Sequence, residues 1–178
     1  LFPAERRANT VTLLPAMRRF GAEWESDPAA ARVAARHAGF VLAAELRAHD
    51  VDLSYAPVLD LDYGVSTVIG DRAFHRDPLV AAELARAVVA GLADAGMRAV
   101  GKHFPGHGAV EADSHVAIPV DRRAFETVWA DDIQPFRLLA AALGGVMPAH
   151  VIYENVDPRP ARFSPFWQQD VLRGRLGF

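Results

Sequence analysis

With 178 residues, 51% of them apolar, the chain can bury a real core in one globular unit. Nineteen basic and 22 acidic residues are interspersed to a net charge of −3, which excludes a nucleic-acid surface and a polybasic membrane patch. There is no Cys, hence no disulfide framework and no thiolate chemistry, and no apolar run of the ~18 residues that a membrane helix requires.

Residues 1–26 read as irregular, with a short apolar touch at Leu13, Leu14 and Pro15. Asp27-Pro28 is an N-cap followed by a proline at the first helical position, and Val33, Phe40, Val41 and Leu46 then recur at helical spacing. This predicts a helix from Pro28 to about His49. Val51 to Pro57 reads as a strand leading into a loop with Asp60, Asp62 and Gly70-Asp71-Arg72. Asp77-Pro78 opens a second helix, whose buried face is expected at Leu79, Leu84, Val88, Val89 and Leu92, with Gly96 as its stop. A strand from Met97 leads to Lys102. A third helical region, Ala124 to Leu143, is interrupted near Pro135; Gly145 to His150 is a third strand, and a last helix lies near Pro165 to Arg173.

Helices separated by short apolar strands imply a parallel sheet with right-handed crossovers. Each strand ends in polar residues: Asp60 and Asp62, then Lys102 and His103, then His150. Successive strand ends of one chemical character are what the C-terminal face of a (β/α) barrel presents. An open doubly wound sheet is the competitor, but no GxGxxG follows a strand. Barrels run to about 250 residues, so this chain would supply roughly half of one.

The polar stretch Lys102 to His115 (KHFPGHGAVEADSH) concentrates the chemistry, and Lys102 is the only Lys among 19 basic residues. Asp113 and His115, two apart on an extended loop, share a face, so the carboxylate can orient the imidazole and stabilise its charged form, as a general acid or base requires. His103, His107, Asp113, His115 and His150 could equally ligate a metal, although their spacing is permissive rather than diagnostic. Arg72 can hold a hydroxyl or carboxylate of a ligand with its fork of donors, or pair with Asp71 or Asp77 and merely fix its loop. Asp60 and Asp62 read as turn residues before Gly64.

GKHFPGHG followed by ADSH, with APVLDLD and VIGDRAFHRDP upstream and MPAHVIYENVDPRPARFSP downstream, resembles the bacterial β-N-acetylhexosaminidases of glycoside hydrolase family 3, of the peptidoglycan-recycling type. The resemblance covers almost the whole chain. It implies an α/β fold, part of a (β/α)8 TIM-type barrel truncated at both ends, with residues 1–178 forming one incomplete catalytic domain.

It also implies a retaining hydrolase that removes terminal β-linked N-acetylglucosamine from muropeptides carrying anhydro-N-acetylmuramic acid. His115 would be the general acid/base and Asp113 its partner, an unusual choice for a glycosidase. Arg72, Lys102 and His103 would contact substrate. No metal or cofactor is implied, nor nucleic acid or membrane; a monomer in the cytoplasm is expected, with phosphate rather than water as acceptor in some relatives. The family's nucleophilic Asp follows a segment like LRGRLGF, and its DQEGG-type stretch precedes the position of Leu1. The expectation is therefore a fragment that holds the acid/base half of the site and is inactive alone. Two other readings are a metal-dependent hydrolase using the His/Asp loop and a non-catalytic sugar-binding relative.

Overall fold

A computed structural model of the chain describes residues 11–111 and 118–178, so Asp113 and His115 lie outside the described residues. The element order is α1 (Arg18–Trp24), α2 (Pro28–Ala48), β1 (Leu53–Ser54), α3 (Pro78–Asp94), β2 (Arg98–Phe104), β3 (Val120–Asp121), α4 (Phe125–Ala130), α5 (Gln134–Leu139), β4 (Gly145–Pro148), β5 (Ile152–Tyr153), β6 (Asp157–Pro160) and a π-helical segment, Phe166–Arg175. Strands β1, β2 and β4 form one parallel sheet in that order, each joined to the next through helices, as the alternating pattern predicts.

Both Asp-Pro signals behave as read. The Asp27 carboxylate accepts the N–H groups of Ala29 and Ala30, and that of Asp77 accepts those of Leu79 and Val80, so each satisfies donors that a helix start leaves open.

Two of the apolar residues whose spacing marks α2 in the sequence do not lie on its buried face. Val33 and Phe40 are 55% and 46% exposed, while Ala31, Ala35, Ala38, Gly39 and Ala43 are buried. The reason is close approach: a Cβ on Gly39 would lie 2.2 Å from the carbonyl oxygen of Val88 on α3. Small residues let the two backbones meet, and large ones are excluded from the seam. On α3, Leu84, Val88, Val89 and Leu92 are buried as expected, but Leu79 is exposed.

Other boundaries differ as well. The irregular N-terminal reading misses α1, and the predicted first strand reduces to two residues plus a bridge from Val58 to Lys102. The third helical region divides into α4 and α5, with Pro135 at the start of the second. The third strand stops at Pro148, two residues before His150. A second small sheet, β3-β5-β6, has no counterpart in the sequence reading; its strands are too short for a periodic signal. Strand β2 runs to Phe104, two residues past the expected end at Lys102, and carries Lys102 and His103 near its carboxyl end as read.

Beyond that strand the core is aromatic. Trp167 is fully buried, with its ring 4.9 Å from that of Tyr153 and 6.3 Å from that of Phe104. Phe104 also meets Phe136 at 5.3 Å. Edge-on contacts of this kind anchor the end of β2 and hence the side chains just before it.

Candidate active site

The carboxyl ends of β1 and β2 bring together Asp60, Arg72, Lys102, His103 and His107, from stretches distant in sequence. Asp60 follows β1 and is buried, 1% exposed. Its Oδ1 accepts the backbone N–H groups of His103 at 3.2 Å and of His107 at 2.8 Å, and its Oδ2 lies 2.7 Å from His103 Nδ1. Asp60 is thus not the turn residue that its place before Gly64 suggests. Asp62 is one, accepting the Gly64 N–H at 3.1 Å, and it also pairs with Arg18 at 2.5 Å. A signal for Asp60 did exist: it sits between Leu59 and Leu61, and both of these are buried. An acid inside an apolar run needs partners.

Arg72 ends a short 3-10 turn, Gly70–Arg72, and donates Nε–H to the carbonyl oxygen of Val68 at 3.1 Å. Among the described residues it forms no ion pair with Asp71 or Asp77; Asp77 is occupied in capping α3. Arg18 reaches from α1 to the carbonyl oxygen of Gly70 at 3.2 Å and so ties the turn to the body of the fold. Arg72 and Lys102 both line a cavity of about 290 Å³ whose other walls include Leu14, Met17 and Val58. Burial lowers the Lys102 pKa, the charge of Arg72 lowers it further, and Asp60 opposes them.

The loop from His103 to Gly108 is held from several sides. Tyr153, fully buried, donates its hydroxyl to the carbonyl oxygen of Gly106. A Cβ on Gly108 would fall 2.0 Å from the carbonyl oxygen of Leu61, so the loop's close approach to the strand end requires glycine there. His107 is buried, and neither of its ring nitrogens has a partner among the described residues. Burial pushes its pKa down, against the pull of Asp60. The His107 ring stands edge-on to that of His103, with centroids 5.8 Å apart.

Beneath the loop lies a polar cluster that sequence reasoning missed. Asp132, 1% exposed, accepts from the Tyr63 hydroxyl at 2.9 Å and from Arg123 Nη1 at 2.8 Å, and Arg123 also forks onto Asp121, at 2.7 Å through Nη2. Burial raises the Asp132 pKa while Arg123 opposes it. None of these residues belongs to a motif, and only the fold joins them.

The sequence-predicted set therefore divides. Arg72, Lys102 and His103 stand at the same end of the sheet. His150 also follows a strand end but is exposed, with Arg162 Nη1 at 2.9 Å from its Nε2. Among the described residues no three His, Asp or Glu side chains cluster as metal ligands would, and Asp113 and His115 lie outside that description. No helix among the described residues is long and apolar enough to cross a membrane.

Residues 4–178 match the glycosyl hydrolase family 3 N-terminal domain. A β-hexosaminidase of Aromatoleum aromaticum is 65% identical over 97% of this chain and 49% of its own length, and one of Thiobacillus denitrificans is 58% identical over 98% and 49%. The crystal structure of NagZ from Neisseria gonorrhoeae in complex with N-trifluoroacetyl-D-glucosamine superposes with a TM-score of 0.92 at 50% identity, over 96% of this chain and 51% of that one. The chain spans about half the length of the curated relatives it matches. Parallel strands joined through helices, polar strand ends and this likeness bear out the α/β, barrel-type reading. The chain belongs to the glycosyl hydrolase family 3 N-terminal domain family.

Proposed function

We propose that this chain supplies the sugar-binding and acid/base side of a retaining β-N-acetylhexosaminidase acting on N-acetylglucosamine-terminated muropeptides. The observation that carries the reading is the gathering of Arg72, Lys102 and His103 at one end of the parallel strands, in a chain 65% identical to a β-hexosaminidase. The N-acylglucosamine ligand of the Neisseria NagZ structure supports the choice of sugar. A monomer in the cytoplasm belongs to the same reading.

In this mechanism Arg72, Lys102 and His103 hold the hydroxyl and acyl oxygens of the non-reducing sugar. His115, oriented by Asp113, protonates the leaving oxygen as the glycosidic bond breaks and a carboxylate nucleophile bonds to the anomeric carbon. His115 then takes a proton from the incoming water, which releases the sugar with retained configuration. The nucleophile is expected from the half of the relatives' length that this chain does not span, so the 178 residues alone should not turn over substrate.

The test is turnover of 4-nitrophenyl N-acetyl-β-glucosaminide by the whole protein, wild type beside His115→Ala. A loss of about 10²–10⁴-fold in the variant is expected, the range of a general acid/base contribution. A 2,4-dinitrophenyl glycoside, whose leaving group needs little protonation, should recover part of it. Equal rates in both proteins would refute the assignment.

A further inference from the structure

The contact between Asp60 and His103 has a direction. An ionised carboxylate carries acceptors only, so the 2.7 Å approach of Oδ2 to Nδ1 is made by an Nδ1–H. In the neutral imidazole the proton is then committed to Nδ1, and Nε2 keeps its lone pair. Lys102, the preceding residue, offers donors and no acceptor. The same carboxylate fixes the backbone on both sides of Phe104 and Pro105 by accepting the N–H groups of His103 and His107. It therefore has little freedom to turn away. The pair is also shielded from solvent: the His103 side chain is only 20% exposed and that of Asp60 is not exposed at all.

We propose that Asp60 is a positioning residue that sets the Nδ1–H tautomer of His103, so that Nε2 accepts a proton from a sugar hydroxyl while Lys102 donates to sugar oxygens. This rests on the N-acetylglucosamine reading of the site. One donor beside one acceptor suits a hydroxyl, which gives and takes a hydrogen bond. An ether, carbonyl or fluorine at the same place cannot supply the proton that Nε2 requires. Asp60 thus contributes to specificity without touching substrate, through the ring it orients, much as an outer carboxylate fixes the tautomer of a metal-bound histidine.

Asp60→Asn separates this role from a purely structural one. The amide oxygen retains the two backbone N–H bonds, while the amide NH₂ faces Nδ1 and drives the ring proton to Nε2. Imidazole ¹⁵N NMR of the whole protein, with His103 assigned against a His103→Gln variant, should show Nδ1–H in the wild type and Nε2–H in Asp60→Asn. The wild-type spectrum needs no variant at Asp60; an Nε2–H tautomer there would overturn the proposal.

Kinetics provide the second arm, with 4-nitrophenyl N-acetyl-β-glucosaminide and analogues carrying fluorine in place of one hydroxyl at a time. Wild type should lose kcat/KM on the order of 100-fold for one of these analogues, as expected when a half-buried acceptor loses its donor. Asp60→Asn should be slow on the parent sugar and should narrow or reverse that discrimination, because Nε2–H can donate to fluorine. A flipped tautomer with unchanged discrimination would overturn the proposal and leave the glycosidase reading standing. Absence of wild-type turnover on every glycoside would overturn that reading and the substrate half of this one, whereas the NMR result bears on Asp60 alone.

Discussion

Lys102 and Arg72 bring two positive charges to one cavity, and the protein lowers the Lys102 pKa by burying the ammonium and adding the repulsion of Arg72. In the proposed reading both cations serve the sugar, and the fold bears the cost of holding them side by side.

That arrangement predicts a trade between stability and activity at Lys102. Lowering the folded-state pKa of a lysine means that the unfolded chain binds the extra proton between the two values. Stability therefore rises with pH across that window, and below it the charged Lys102 is a net cost. Lys102→Met, which keeps the apolar stem, should raise the melting temperature at neutral pH, with a gain that fades at strongly alkaline pH. It should also reduce kcat/KM by roughly 100-fold, as loss of a charged hydrogen bond to substrate implies. A melting temperature that falls at neutral pH would contradict the account.

The Arg123–Asp132 pair predicts the opposite pattern. Arg123→Met leaves Asp132 buried without its cation, at a cost of about 3–5 kcal/mol by analogy with other broken buried pairs. Asp132 already has a raised pKa from burial, and removing Arg123 takes away the largest influence that opposes it, leaving the Tyr63 hydrogen bond. A carboxyl with a raised folded pKa contributes stability below its unfolded value and loses it as pH rises through the folded one. The deficit of Arg123→Met, read from urea denaturation, should therefore shrink toward acid pH, and adding Asp132→Asn should recover part of it at neutral pH. A deficit independent of pH would show that Arg123 acts by packing alone.

Helix α2 yields the third prediction. Gly39→Ala places a methyl group 2.2 Å from the Val88 carbonyl oxygen, and backbone must move to admit it. A loss of about 1–3 kcal/mol is expected, typical of overpacking. Val33→Ala, on the exposed face, should change stability by no more than about 0.5 kcal/mol. Were the two costs reversed, the large apolar residues and not the Ala/Gly stripe would form the seam.

The fold class was legible because it rests on local signals. The Asp-Pro caps at Asp27 and Asp77 need only their own next three residues, and both formed as read. The parallel order of β1, β2 and β4 follows from helices intervening between strands, a matter of spacing along the chain. Lys102 and His103 stood out by type and by place at a strand end, whereas the substrate roles expected of them and of Arg72 came from the family resemblance.

What the sequence alone could not decide was anything set by distance between backbones or by desolvation. Gly39 outranks Phe40 in the α2–α3 seam because of how closely Val88 approaches, and no periodicity encodes that. Asp60 looks like one more acid before a turn until three donors from His103 and His107 converge on it. Tyr63, Asp121, Arg123 and Asp132 form a buried cluster although no motif links them. Residue types and short-range spacing determined the elements and the candidate chemistry. Only tertiary structure decided which carboxylate is buried, and burial is what turns an ordinary aspartate into a group that must be hydrogen-bonded in one fixed direction.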